Sequence, residues 1–491
     1  MSEAGTLEYP LPAEGRPLVV QTTVPSADQI NALVAVLYQV MLGLGKEEVH
    51  EQIAYGLREL IENAVRANRK RQLFREAGLD IASPGDYSKG LALLQEEENA
   101  GPAGTDGDGI VEITLDKTPD HLVLRVRNSA EMVEIERARV TQRLSAALLY
   151  ETFDEVFEQI EDDSESAGLG LVMLGMILRR LGVPEDGLRF SSDGGFTTFE
   201  IFMPLNLVSD EESDNFTETL LREIQSIPQI PQNIHSLREL LRHPDVDYPA
   251  LARLIRKDPA LTLEVLRMAN SPVYRRSQRI ESCEVALSLL GIRGLRGILD
   301  TFGARKALEG HYPAKLLDRF WQHSAEIAEL AAAIGRQTGA PEDVIEGAYI
   351  SGLLHDVGRI VLEGRHADTY RALQNFCAQK QASAAAMDGL IAGVNHARIG
   401  ARMAEHWNLP ERLVQSIRYS RAPLSAPPAA RECAKLIYLA HAVHHHTRGG
   451  HKEHDIGDTV LTSFGMNIPG GLNGLAARVA PAPPPPAAVG D

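Results

Sequence analysis

The feature that most constrains the fold is a change of pattern midway along the chain. Up to about residue 205, strand-like alternation and helical periodicity are mixed; beyond residue 216 nearly every apolar run repeats at helical spacing. In the first half, IVEITL (110–115) and HLVLRVRN (121–128) alternate around Lys117-Thr118-Pro119-Asp120 and predict a hairpin. RFSSDGGFTTFEIFMPL predicts a second one, turning at Gly194-Gly195. Helical periods run through 27–44, 47–78 and the charged stretch 131–162, and resume after Gly168, while 95–109 reads as a polar loop. In the second half, runs of 10–18 residues are separated only by short Pro, Gly or Asp breaks. The expectation is a multidomain chain. It has a flexible leader (1–24), a mixed α/β domain (25–206), an acidic linker (207–216), an all-α domain (217–447) and a His- and Pro-rich disordered tail (448–491).

Charge and cysteine usage narrow the function classes. A net charge of −18 argues against general nucleic-acid or anionic-membrane binding, which need a basic surface. Cys283, Cys377 and Cys433 lie far apart with no C-x-x-C spacing, so a reducing, cytoplasmic setting is expected. The N-terminus lacks a basic-then-apolar signal pattern, and the apolar run 27–44 carries Asp28, Gln29, Asn31 and Gln39. It is amphipathic, so no membrane insertion is expected.

Glu59 and Asn63 are four residues apart and share a helical face, where an amide oxygen can serve Mg²⁺ and a carboxylate can orient a ligand. Downstream, Gly168 and Gly170 precede an apolar helix, where backbone N–H groups suit phosphate. The order of helix, hairpin, Gly-x-Gly-helix and Gly-Gly hairpin resembles the GHKL ATPase domain of histidine kinases, anti-sigma-factor kinases and gyrase. That resemblance implies an α/β two-layer sandwich binding ATP and Mg²⁺. Glu59 and Asn63 match its N box, and Gly168 and Gly170 its second glycine box. The first glycine box departs: Asn128 stands where the family carries the adenine-reading Asp, and its two glycines are missing. Asn keeps an acceptor oxygen but loses the charge. No phosphoacceptor helix is recognisable, so kinase activity would act on a separate protein.

In the second half, His355-Asp356 lies 32 residues after His323, in helical segments able to bring imidazoles and a carboxylate together. The segments IPQIPQ, LIRKDPALTLEVLRMANSP and the unit spanning Ile280, Ser282, Ala286 and Leu290-Gly291, together with GLLHDVGR, resemble an HDOD domain, an HD-related output domain of bacterial signalling proteins. Locally, Asp258 reads as an N-cap before Pro259, and Asn270 as a turn or cap. Hydrolytic HD domains end on an Asp; here His441 occupies that place, and Arg359 stands where HD-GYP enzymes carry Lys. His396 matches a histidine common in HDOD proteins. Ser420 and Arg421 replace the paired histidines after Tyr419. The set His323, His355, Asp356 and His441 suits a single divalent metal, but the resemblance implies a hydrogen-bonded network instead. His444, His445, His446, His451 and His454 read as a solvated cluster after the last helix. Arg275, Arg276, Arg279, Arg293 and Arg296 form a basic patch, either a solvated face or a docking surface for an acidic partner or cyclic nucleotide.

The resemblances imply a bacterial cytoplasmic signal-transduction protein. An ATPase-like domain, with nucleotide as ligand, would regulate a non-hydrolytic HDOD output domain that engages a protein partner. The competing expectations are a serine-protein kinase acting in trans and a metal-dependent phosphohydrolase using the HD residues.

Overall fold

The computed structural model describes residues 9–100, 109–150, 152–153, 155–156, 169–207, 218–242, 247–271, 273–274, 280–380, 382–447 and 457–479. The chain forms two compact units: 1–215 with 382–391, and 216–381 with 392–491.

The first unit contains β1 (Leu18–Thr22), α1 (Ala27–Gly43), α2 (His50–Glu76), α3 (Pro84–Ala100), β2 (Val111–Lys117), β3 (His121–Asn128), α4 (Glu134–Leu149), α5 (Leu169–Arg180), β4 (Leu188–Asp193) and β5 (Phe196–Pro204). The strands form one antiparallel sheet in the order β1-β2-β3-β5-β4. Both expected hairpins are present. Gly194 and Gly195 have φ of 58° and 85°, the doubly left-handed turn that matches strand twist. Along β5, Thr197, Phe199, Ile201 and Met203 alternate inward. Helix α2 lies so close that a Cβ on Gly56 would sit 2.8 Å from Leu174 of α5 and 3.6 Å from Ile201 of β5. Leu33, Leu37, Leu57, Leu60, Ile113 and Leu124 are buried in this unit, each contributing about 1.5–3 kcal/mol of transfer free energy.

Two boundaries differ from expectation. The segment 1–24 is not all leader, because β1 pairs Leu18–Thr22 with Leu115–Val111 of β2. Its LVVQT sequence is too short to declare a period; the alternation exists only in the burial of Leu18 and Val20 against exposed Val19. Helix α3 also claims 95–100 from the expected loop.

Described residues of the second unit are helical: α6 (Glu218–Ser226), α7 (Gln232–Leu240), α8 (Tyr248–Ile255), α9 (Pro259–Ala269), α10 (Cys283–Leu308), α11 (Ala314–Gln337), α12 (Glu342–Leu354), α13 (Val357–Arg365) and α14 (Ala367–Gln379). After the turns α15 (Ala384–Met387) and α16 (Gly389–Ala392) come α17 (His396–His406), α18 (Glu411–Arg418), α19 (Pro428–Thr447), α20 (Gly457–Ser463) and α21 (Gly471–Val479). Residues 382–391 belong to the first unit, where the Arg180 guanidinium donates to the Gly389 carbonyl. Asp258 caps α9 by accepting from Ala260 N and Leu261 N at 3.0 and 3.1 Å. Asn270 holds Leu266 O and both backbone groups of Ile280 at 2.8–2.9 Å, a structural role that pins the chain between α9 and α10.

The expectation of a disordered tail fails over 457–479. There α20 and α21 bury Val460, Leu461, Phe464, Leu472 and Leu475. Each helix is too short to register as a period, and each is held by tertiary packing. The remaining linker and tail positions, 208–217, 448–456 and 480–491, lie outside the described residues.

Candidate functional site

Two constellations follow from this framework. In the first unit, a cavity of about 450 Å³ opens among α2, α3, α4 and the ends of β3 and β5. Asn63 and Asn128 both line it, as do Thr197 and Leu171. Asn128 donates one amide N–H to Asn68 Oδ1 at 3.0 Å, which leaves its carbonyl oxygen and second N–H for other partners. Thr197 Oγ1 donates to Ala130 O at 2.6 Å and lies 2.9 Å from Ser192 Oγ. Tyr87, Leu91, Met132 and Phe199 supply apolar wall.

Glu59 is almost fully buried, is not among the residues lining the cavity, and accepts from Asn63 Nδ2 at 2.9 Å. Gly170 rests directly on it: a Cβ there would lie 1.9 Å from Glu59 Oε1. Tyr55 OH donates to Gly170 O at 3.2 Å. Of the expected residues, Asn63 of α2 and Asn128 of β3 line the cavity, Glu59 of α2 and Gly170 of α5 pack against each other outside its lining, and Gly168 lies outside the described residues.

The charge around the cavity is a feature that the sequence reading missed. Arg66, Lys70, Arg71, Arg139 and Arg143 line it, against the single carboxylate of Glu136. Arg66 is paired with Glu98 at 2.7 Å. Burial alone would raise Glu136, but hydrogen bonds from Arg71 and the charges of Lys70 and Arg71 bring it down to about 2. Burial lowers Lys70. Lys70 and Arg71 both pair with Glu136, and the clustered guanidinium groups suit an anionic ligand that competes for them. A signal exists in the sequence: Lys70 and Arg71 lie about two turns beyond Asn63 on the same helix.

The second constellation is built where five helices of the second unit converge. His323 comes from α11, His355 from the end of α12, Asp356 and Arg359 from the start of α13, His396 from α17 and His441 from α19. The α13–α17 crossing depends on Gly358, whose Cβ would fall 2.0 Å from His396 O and 2.6 Å from Gly400 N. His355 Nδ1 donates to Gly352 O at 2.7 Å, and its Nε2 lies 2.7 Å from His441 Nε2 and 3.1 Å from Asp356 Oδ1. Asp356 Oδ1 is 3.3 Å from His396 Nε2, and Oδ2 accepts from Arg359 Nη1 at 2.6 Å. His323 Nε2 is farther, 3.7 Å from Asp356 Oδ2.

These side chains are joined to one another. Nitrogens 2.7 Å apart share a proton; two ligands on one tetrahedral ion with bonds of about 2.0–2.1 Å sit about 3.3 Å apart. Burial opposes the Asp356 charge, but His355, Arg359 and His396 hold its carboxyl well below the usual range. Burial brings His323 down to about 3 and His441 well below the ordinary imidazole value, so both rings are neutral at neutral pH.

The expectation of a solvated histidine cluster beyond the last helix is corrected for His444. Helix α19 continues through Thr447, and His444 is buried with Nε2 2.9 Å from Glu326 Oε2. The three consecutive histidines obscured a helical face that α19 continues from His441. His451 and His454 lie outside the described residues, as do Arg275, Arg276 and Arg279 of the basic patch. Arg293 is 3.4 Å from Glu346, and Arg296 donates to the Leu241 carbonyl.

A helical bundle that collects a histidine, a His-Asp pair and a further histidine in this order is of the histidine–aspartate type. Residues 227–423 match the model of the HDOD domain family. An uncharacterized protein of Treponema pallidum is 30% identical over 399 residues, covering 80% of this chain and 77% of its own length. The crystal structure of an HDOD domain protein with unknown function from Geobacter sulfurreducens is 26% identical, covering 53% of this chain and 88% of that one, with a TM-score of 0.41. Residues 227–423 of the chain are thus an HDOD domain.

Proposed function

We propose that this protein is a cytoplasmic bacterial signalling regulator. Its N-terminal region binds a nucleotide in the manner of a GHKL ATPase domain, and its HDOD domain is a non-hydrolytic output module for a protein partner. The observation that carries the reading is the cavity of about 450 Å³ in which Asn63 and Asn128 meet five cations and one carboxylate. Apolar walls suit a base, and the cations suit phosphates. Asn128 offers a neutral acceptor for an exocyclic amino group, weaker than a carboxylate. Mg²⁺ would be held by Asn63, which projects into the cavity from α2. Regulation requires only that nucleotide favour one of two states of the protein.

The competing activities have less support. Glu59 does not line the cavity and is bound to Asn63, which is a poor arrangement for a kinase base. Arg359 occupies one Asp356 oxygen and His441 engages His355 Nε2, so a phosphohydrolase ion would have to break both contacts. No helix among the described residues is long and apolar enough to cross a membrane.

Calorimetric titration of the full chain with ATP and Mg²⁺ tests the reading. Saturable one-to-one binding is expected, weakened about tenfold or more by Asn63→Ala and by Arg139→Ala. Absence of binding, or equal affinity in all three proteins, would remove the nucleotide from the scheme.

A further inference from the structure

Glu326 lies one turn beyond His323 on α11, and His444 one turn beyond His441 on α19. The facing turns place Glu326 Oε2 2.9 Å from His444 Nε2, and the His323 ring edge-on to His444 with centroids 5.0 Å apart. One donor atom from each of the three side chains lies within 4.8 Å of the other two. His323 Nε2 and His444 Nδ1 are buried and make no hydrogen bond.

We propose that His323, Glu326 and His444 form a site for a borderline divalent transition ion, with Zn²⁺ as the type, which shares His323 with the edge of the His355–Asp356 network. Two imidazoles and a carboxylate are a donor set for such ions and leave a fourth position for water. Tetrahedral coordination needs ligand atoms about 3.3 Å apart. The Glu326–His444 pair therefore opens by a few tenths of an ångström, and His323 closes in by side-chain rotation.

The inner histidines are less suited. His355 already uses Nδ1 on Gly352 and Nε2 on His441 and Asp356. Access separates the two sets as well: the His323 and Glu326 side chains are 25% and 30% exposed, whereas His355 is 1% exposed. An ion entering from solvent meets the outer set first. It would link α11 to α19, two helices of the bundle that packs around the His-Asp pair, and so favour the bundle by mass action.

The test uses the full chain, stripped with chelator and then given Zn²⁺ alone. Equilibrium dialysis with elemental analysis is expected to give one tightly held ion per chain, and zinc should raise the unfolding midpoint. Glu326→Gln, a part-exposed isosteric change, should weaken binding at least tenfold and abolish that rise; His444→Ala should do the same. A double variant, His451→Ala with His454→Ala, should bind as the parent does. With Co²⁺ in place of zinc, the visible absorption should change in Glu326→Gln as an oxygen ligand is lost. Failure to bind zinc overturns the proposal. So does parental affinity in Glu326→Gln, which would put the ion on other residues, or loss of binding in the tail double variant.

Discussion

Replacing Arg359 by Met tests whether the His-Asp network is held by its own charges. Met keeps much of the apolar stem and removes the guanidinium. That group places Nη1 2.6 Å from Asp356 Oδ2 and donates through Nε to Tyr370 OH at 2.8 Å. Breaking a buried ion pair from one side costs about 3–5 kcal/mol, because the remaining charge is stranded. Two features reduce that figure. The Arg359 side chain is 29% exposed, so water reaches part of the pair. Asp356 also keeps His355 and His396 at 3.1 and 3.3 Å. A loss of about 2–3 kcal/mol at pH 7.5 is therefore expected.

The assay is urea unfolding followed by tryptophan fluorescence. The chain has two tryptophans, Trp321 and Trp407, both in the second unit, so the signal reports that unit without requiring the whole chain to unfold as one. The pH dependence has a definite sign. The folded Asp356 pKa is depressed, so its stabilisation is present above the ordinary carboxylate value of about 4 and is lost as pH falls below it. The gap between parent and variant should narrow below about pH 4. A loss under about 1 kcal/mol at pH 7.5 would refute the idea that Arg359 neutralises a buried carboxylate.

Gly358→Ala drives a Cβ to 2.0 Å from the His396 carbonyl, a backbone atom that cannot rotate away; about 3 kcal/mol should be lost in the same urea assay. Gly170→Ala strikes the Glu59 carboxylate at 1.9 Å and should displace Asn63 with it. ATP affinity should then fall about tenfold, roughly 1.4 kcal/mol, while the tryptophan transition is unchanged. Burial pushes Asp300 up to about 6 despite Arg238 Nε at 3.0 Å and the charge of Arg296. Its folded pKa is raised, so its stabilisation is complete below about pH 4 and is lost as pH rises through about 6, amounting to about 3 kcal/mol. Asp300→Asn should flatten that pH dependence between pH 4 and 7.

Features encoded within a few consecutive residues are legible in the sequence. The Gly194-Gly195 turn, the Asp258 cap, the two hairpins and the repeat of helical runs all depend on local backbone preference and period. The HDOD segments are equally legible, since they cover contiguous stretches within 227–423. The Glu59–Asn63 pair is visible for the same reason: four residues on one helix are neighbours by geometry.

What escapes a linear reading is set by partners distant in the chain. The LVVQT stretch is a strand because β2 offers it a ladder. The short helices α20 and α21 exist through burial of Phe464 and Leu475. The cationic cavity needs α2, α3, α4 and β3 side by side, and no window of sequence contains them all. His444 reads as one of three solvated histidines, yet α19, running on to Thr447, turns it toward Glu326, 118 residues away. The sequence by itself determined the element types, the division into mixed and helical halves, and the inventory of chemical groups. The tertiary structure decided which of those groups share a site and which are already satisfied by a neighbour. Period and propensity act over a turn or two of chain, whereas burial, charge and ligand geometry depend on distances that only packing sets.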